Sequence, residues 1–242
     1  GRDLSEAVGG IMTIVALELL EADPSTSHVV LVSKTPAPKV AAAIMDRIGA
    51  GTKTVTVCFL GADYLDLPPN ASQAVTLRAA AGGVPDGDMP AVTAQVRAPT
   101  VRGLFTGGTL AAEAEVILGT KTSHRMVDFG DDSYTRGRPH PMIDPLARDQ
   151  ALRDALADPA IGVVLLDVVI GFGAHPDPVG HLTGLLAETR DGNGPLIIAS
   201  VTGTDEDPQN RSAQVARLRA AGVLVAPSNA DAAELALAQV GK

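Results

Sequence analysis

The residues best placed to do chemistry fall in a few glycine- and proline-rich stretches. Thr106-Gly107-Gly108-Thr109 ends a short apolar run and opens the helical segment Leu110 to Leu118. Glycines at a helix start let backbone approach a ligand, and the first-turn N–H groups favour a phosphate or carboxylate. The alternative is a tight turn capped by Thr109, with Glu113 near the capping-box spacing. Gly9-Gly10 precede another long helical segment in the same way. Gly130 to Pro145, GDDSYTRGRPHPMIDP, places His140 beside Arg138, Arg136 and Asp144 in a stretch without periodicity. An imidazole there can serve as acid or base near neutral pH, or simply brace the loop. His175 follows Gly171 and Gly173 in a second polar loop, and Gly203-Thr204 offers another anion-binding turn or a plain cap. Lys34, Arg136 and Arg138 are the cations at hand for an anionic ligand. Asp131-Asp132 could hold a divalent cation, but with no third carboxylate at ligand spacing a solvated turn is expected and no metal is assigned. His28, His124 and His181 read as surface or strand-edge residues.

These loops need a scaffold, and composition narrows it. The chain has 242 residues, 45% hydrophobic but only 2% aromatic, with no Trp. Such a core is built of Val, Leu, Ile and Ala, as in parallel α/β proteins. A formal net charge of −9 argues against nucleic acid, which needs clustered Lys and Arg. It leaves room for a small anion, because local backbone dipoles act at short range. The single Cys58 lies in an apolar run and is expected to be buried packing in a reducing, cytoplasmic setting. No apolar run reaches membrane-spanning length, so no membrane partner is expected. The chain opens without Met, and its natural start is expected upstream.

Hydrophobic periodicity predicts alternating helices and strands. Ile11 to Ala22 reads as a largely buried helix stopped by Asp23-Pro24. His28 to Val32 and Thr54 to Leu60 read as strands around a helix introduced by Pro36 and Pro38. Asn70-Ala71-Ser72 is expected to cap a short helix reaching Ala80. Three Gly and three Pro between Ala81 and Thr100 suggest a connection. Beyond it come strands at Arg125 to Phe129, Ile161 to Ile170, Leu196 to Val201 and Gly222 to Ala226, with helices at Leu146 to Ala157, Val179 to Thr189, Asp207 to Ala221 and from Ser228 to about Val240.

The halves echo each other. ALELLEADP answers ALRDALADP, VVLV answers VVLL, VTVCFLG answers IIASVTG, and NASQAVTL answers NADAAELA. The pattern implies two doubly wound parallel-sheet α/β domains related by internal duplication, the first shortened. The expected division is 1–80, a linker at 81–101, and 102–242. Ligands of such sheets lie beyond the carboxyl ends of the strands. That singles out Ser33-Lys34, Gly61-Ala62, Asp167 to Asp177 and Thr202 to Thr204, and predicts two glycine-opened helices aimed at one anion.

The strings LFTGGTLAAEA, DFGDDSYTRGRPHPMIDP, LLDVVIGFGAHPDP and SVTGTDEDPQNR resemble FdrA-type, acyl-CoA synthetase-like proteins, related to both subunits of succinyl-CoA synthetase. The first half is similar to the ligase domain of the alpha subunit, the second to the flavodoxin-like carboxyl-terminal domain of the beta subunit, so the resemblance implies two flavodoxin-like domains. The resemblance implies a CoA-binding Rossmann domain upstream of Gly1, which would bring CoA and nucleotide; no cofactor is assigned to these residues themselves. It also implies a phosphorylated His held between two helix N-termini. That His belongs after the strand matching Thr54 to Leu60, yet there is none between His28 and His124. The acidic residue expected after the first strand is replaced by Ser33-Lys34. A second implied activity is that of a subunit of an oxamate carbamoyltransferase in allantoin breakdown, acting on carbamoyl phosphate. The expected partners are a small anionic substrate (phosphate, carboxylate or carbamoyl phosphate) and other subunits of a complex or a second copy. A non-catalytic structural subunit is the competing reading.

Overall fold

The computed structural model describes residues 2–63, 65–83, 87–119, 124–189 and 194–241. It divides into two compact units, Gly1–Val84 and Pro85–Lys242.

Unit 1 opens with a single 3-10 turn at Arg2–Leu4. It continues through α1 (Ile11–Ala22), β1 (His28–Lys34), α2 (Pro38–Gly49), β2 (Thr54–Leu60), β3 (Ala71–Gln73) and α3 (Leu77–Ala80). Its sheet runs β1-β2-β3, all parallel, with His28 opposite Thr54 and Val55 opposite Ala71. Pro38 at the first position of α2 suits a helix start, because the N–H it lacks would have no partner there. Val40, Ile44, Met45 and Ile48 then form one face, packed on Val29, Val55, Val57 and Phe59.

Two expectations fail in this unit. Only Leu17 of α1 is buried; Ile11, Met12, Val15 and Leu19 are exposed, so the apolar helix is covered on one side alone. Asn70 does not cap a helix. Its side chain donates to the Ile48 and Lys53 carbonyls at 2.9 Å, closing the turn before β2, and the next residues form β3. The cap of α3 is Thr76, whose hydroxyl accepts from Ala79 N–H. The helix cap in this half is thus Thr76, as Ser228 caps the last helix of the chain. Among the described residues, unit 1 keeps a third strand and lacks the helix that should precede it.

Unit 2 comprises β4 (Val101–Phe105), α4 (Gly108–Leu118), β5 (Arg125–Asp128), α5 (Asp132–Thr135), α6 (Leu146–Ala157), β6 (Val163–Val169), α7 (Pro178–Thr189), β7 (Leu196–Thr202), α8 (Arg211–Ala220), β8 (Leu224–Ala226) and α9 (Asn229–Val240). The sheet order is β5-β4-β6-β7-β8, all parallel. It is a doubly wound sheet whose direction of winding reverses between β4 and β6. Strand β6, VVLLDVV, is buried along almost its whole length, as a central parallel strand covered on both faces must be. One face carries Leu152, Val179, Leu182, Leu186 and Leu218 from α6, α7 and α8. The other carries Ala111 and Ala114 of α4 with Ala232, Ala233 and Ala236 of α9, small residues that let these helices lie close. Each fully buried Leu or Ile contributes about 2 kcal/mol of transfer free energy.

Part of the segment between the halves belongs to this core. Arg97 donates to the Leu156, Asp158 and Ile161 carbonyls. Residue 162 must be glycine, since a Cβ there would overlap the Ala98 backbone. Helix α8 starts at Arg211, later than expected, because Asp207 to Asn210 form a turn.

Candidate functional site

The reversal point between β4 and β6 is where a doubly wound sheet opens a crevice for ligands. Here that crevice is occupied by the protein's own charges. Asp167, fully buried near the end of β6, accepts from Thr106 N–H at 2.7 Å and from Gly107 N–H at 2.7 Å. The Thr106 hydroxyl adds a third bond at 3.0 Å. Arg148, reaching from α6, donates to the Asp167 carbonyl at 2.8 Å and approaches Oδ1 at 3.3 Å. Burial raises the Asp167 carboxyl above its usual range, while the Arg148 cation and the backbone donors pull it back; burial likewise lowers the Arg148 guanidinium.

The turn expected to cradle an anion thus holds an internal carboxylate on its first two N–H groups. The N–H groups of Gly108, Thr109 and Leu110, in the first turn of α4, take no acceptor among the described residues. Thr109 does not cap the helix: the cap position is Gly107, with no side-chain bond. Glu113 is buried and accepts from Asn229 Nδ2 at 2.8 Å, joining α4 to α9 instead of completing a capping box.

His140 and His175 are brought into one loop cluster beside this turn. The two are built alike, each followed by Pro. His140 Nδ1 accepts from Met142 N–H at 3.2 Å and His175 Nδ1 from Asp177 N–H at 3.0 Å. A ring whose Nδ1 accepts carries its proton on Nε2, so each neutral imidazole has an Nε2–H to donate. His175 N–H donates to the Met142 carbonyl at 2.6 Å, which stitches the two turns together. His140 Nε2 lies over Gly130: a Cβ on residue 130 would sit 2.6 Å from it and 2.9 Å from the Thr106 carbonyl. Thr106, Met142, Arg148, Asp167 and His175 line a cavity of about 10 Å³, room for one water.

The loop after β6 is clamped by Gln209, a buried residue that sequence reasoning passed over. Its amide bonds the Gly171 N–H and carbonyl at 3.1 Å each and the His175 carbonyl at 3.2 Å. Gly171 and Gly173 have positive φ and flank Phe172, which is 99% exposed. Arg138 is exposed on the turn after α5. Thr204 N–H donates to Asp207 Oδ2 at 2.6 Å, so that anion-binding turn also carries its own carboxylate, and Gly203 packs against Ile170 and Asp207. Two more helix starts are filled in the same way. Asp177 accepts from Gly180 N–H and pairs with both Arg217 amino groups, which lowers its carboxyl; Asp205 accepts from Ser212 at the start of α8.

The remaining histidines are held elsewhere. His181 bonds Asp149 at 2.8 Å, His28 bonds Thr54 and Thr56, and His124 accepts from Val101 N–H. Asp131 caps α5, and no metal-binding group of three ligands occurs among the described residues. Cys58 is buried. No helix of the described residues is long and apolar enough to cross a membrane.

In unit 1, Gly10 is the cap position of α1 with φ +76°, and Gly9 also has positive φ. Asp3 takes the next donors: Met12 N–H at 3.0 Å, Thr13 N–H at 2.9 Å and the Thr13 hydroxyl at 2.6 Å. These bonds lower the Asp3 carboxyl, led by the Thr13 hydroxyl.

Comparison with known proteins agrees with this architecture. The chain is similar to Uncharacterized protein YahF of Escherichia coli (strain K12), at 35% identity over 282 residues, covering 98% of this chain and 55% of that protein. The chain thus spans about half the length of that relative. The CoA-ligase family model matches residues 104–239, from β4 to α9 and more than half of the chain. The chain belongs to the CoA-ligase family.

Proposed function

We propose that this chain is an FdrA-type member of the family that binds a small anionic acyl or phosphoryl group at the strand-end loops of unit 2. It does so as part of a larger ligase or transferase, and without a phosphohistidine of its own. The observation that carries this reading is the pair of stitched His-Pro turns beside a helix start with three N–H groups that take no acceptor among the described residues. Two Nε2–H donors and three backbone donors suit the oxygens of a phosphate, a carboxylate or carbamoyl phosphate. Arg138, exposed on the same loop, is assigned to meet the ligand's charge. Unit 1 offers less, because Asp3 already holds the Met12 and Thr13 donors of α1. The enclosed cavity of about 10 Å³ at the reversal point admits no more than one water, so the anion is assigned to the open side of these loops, and no step here runs through CoA or nucleotide.

Acid–thiol ligation is the first activity to test, and carbamoyl transfer from carbamoyl phosphate to oxamate is the alternative within this reading. Titration calorimetry with phosphate, carbamoyl phosphate, oxamate, ADP and CoA is the direct experiment. Binding of one of the three small anions, weakened in both His140→Asn and His175→Asn, is the expected result. Binding of none, or equal binding by both variants, removes the reading. A specific observation favours a second reading, a structural subunit: Asp167, Asp177, Asp205 and Asp207 fill backbone donors at this edge that a ligand would otherwise use. Silence toward every anion, with intact assembly into a larger complex, would select it.

A further inference from the structure

Unit 1 contains a cavity of about 590 Å³ that the reading above does not use. It lies where Thr35 leaves β1 and Gly61-Ala62 leave β2, the carboxyl edge of the sheet. That is the edge at which parallel sheets bind ligands, and the volume falls within the usual range for small-molecule sites. The walls are tied down. The Thr35 hydroxyl donates to the Leu60 carbonyl at 2.5 Å, and Gln73 of β3 holds the Ala62 carbonyl at 3.1 Å. Ala41, Met45 and Leu65 give an apolar lining.

Among the described residues, every charged residue lining the cavity is acidic: Asp46, Asp63 and Asp66. None of these three side chains has a hydrogen bond or ion pair among the described residues, so their charge is not spent on holding the fold. Phosphates, carboxylates and CoA are opposed by that charge. A bare divalent cation is not matched either, because no group of three acidic, His or Cys ligands converges among the described residues. Three exposed carboxylates that do not converge as a metal site, beside an apolar lining, instead match a cation with a body. We propose that this cavity binds a small aliphatic amine of the diamine class, its ammonium groups against Asp46, Asp63 and Asp66 and its methylenes along Met45 and Leu65.

The test is calorimetric titration of the whole chain with 1,5-diaminopentane, beside neutral 1,5-pentanediol and anionic glutarate. Methionine-methyl NMR locates the site. Expected are binding of the diamine alone, weakening with salt, an affinity about tenfold lower in Asp63→Asn/Asp66→Asn, and a shift confined to the Met45 methyl. Ala42→Trp, which narrows the mouth from the exposed side of α2, should abolish binding while leaving the melting transition in place. No heat with the diamine, equal binding of pentanediol, binding of glutarate at Met45, or unchanged affinity in the double variant would each overturn the proposal. None of these readouts touches the histidine loops of unit 2, so failure here leaves the anion reading standing.

Discussion

The two glycine-opened helices look interchangeable in sequence, yet they solve the same problem at opposite ends of the burial scale. At α1, Asp3 sits near the surface and fills two first-turn donors in the manner of a cap. At α4, the carboxylate arrives from β6, buried, and needs Arg148 beside it. A surface carboxylate tolerates loss because water replaces it; a buried one does not. At the first start Asp3 takes two of the first-turn donors, while the second, secured from below, keeps its outer turn open among the described residues.

That contrast can be broken most sharply at Arg148. Replacing it by Met leaves Asp167 buried without its cation, and denaturant unfolding of unit 2 should lose about 3–5 kcal/mol. The double variant Arg148→Met/Asp167→Asn should recover part of that loss; if it were no better than the single change, the two charges would not be acting as a pair. Next in size is Gln209→Leu, which strands the Gly171 N–H and carbonyl and the His175 carbonyl. It should cost about 1–3 kcal/mol and speed amide exchange across residues 171–175. Smaller still is Asp3→Ala, which should fray the first turn of α1 in hydrogen exchange and leave unit 2 unchanged. Acidification separates the two starts by sign. The folded Asp3 carboxyl lies below its ordinary 3.8, so its stabilising contribution is present above that pH and is lost as pH falls through the lower folded value. Asp23 is lowered in the same way, to about 2, by bonds from Thr26 and Ser25. Asp167 is raised, so its contribution is complete at low pH and shrinks as pH rises through the folded value. NMR protection factors from pH 5 down to 2 should therefore fall at the start of α1 before the start of α4.

Much of this scaffold can be read from residue order. The alternation of apolar runs with Gly, Pro and Asp breaks carries the strands and helices of unit 2, and the strand-end loops follow from parallel topology. Which group fills a backbone donor does not. Asp167 lies 60 residues beyond Gly107, and only the register of β4 on β6 brings them together. The three-residue β3 is too short for any period to show, and Asn70 mimics a cap while bonding backward to the turn at 48–53. Helix α1 misleads for another reason: an apolar composition describes what a helix can bury, whereas only the surrounding chain decides what it does bury. The twin His-Pro turns were visible as residues, but their shared use of Nδ1 as an acceptor needed coordinates.

One consequence attaches to the lone thiol. Cys58 sits in the middle strand of unit 1 with its side chain wholly shielded, and there is no second cysteine to compete for reagent. Alkylation by a maleimide or iodoacetamide must wait for that unit to open, so the labelling rate is a stopwatch for unit 1 alone. It can be read in any variant, without a tag and whatever happens in the rest of the chain.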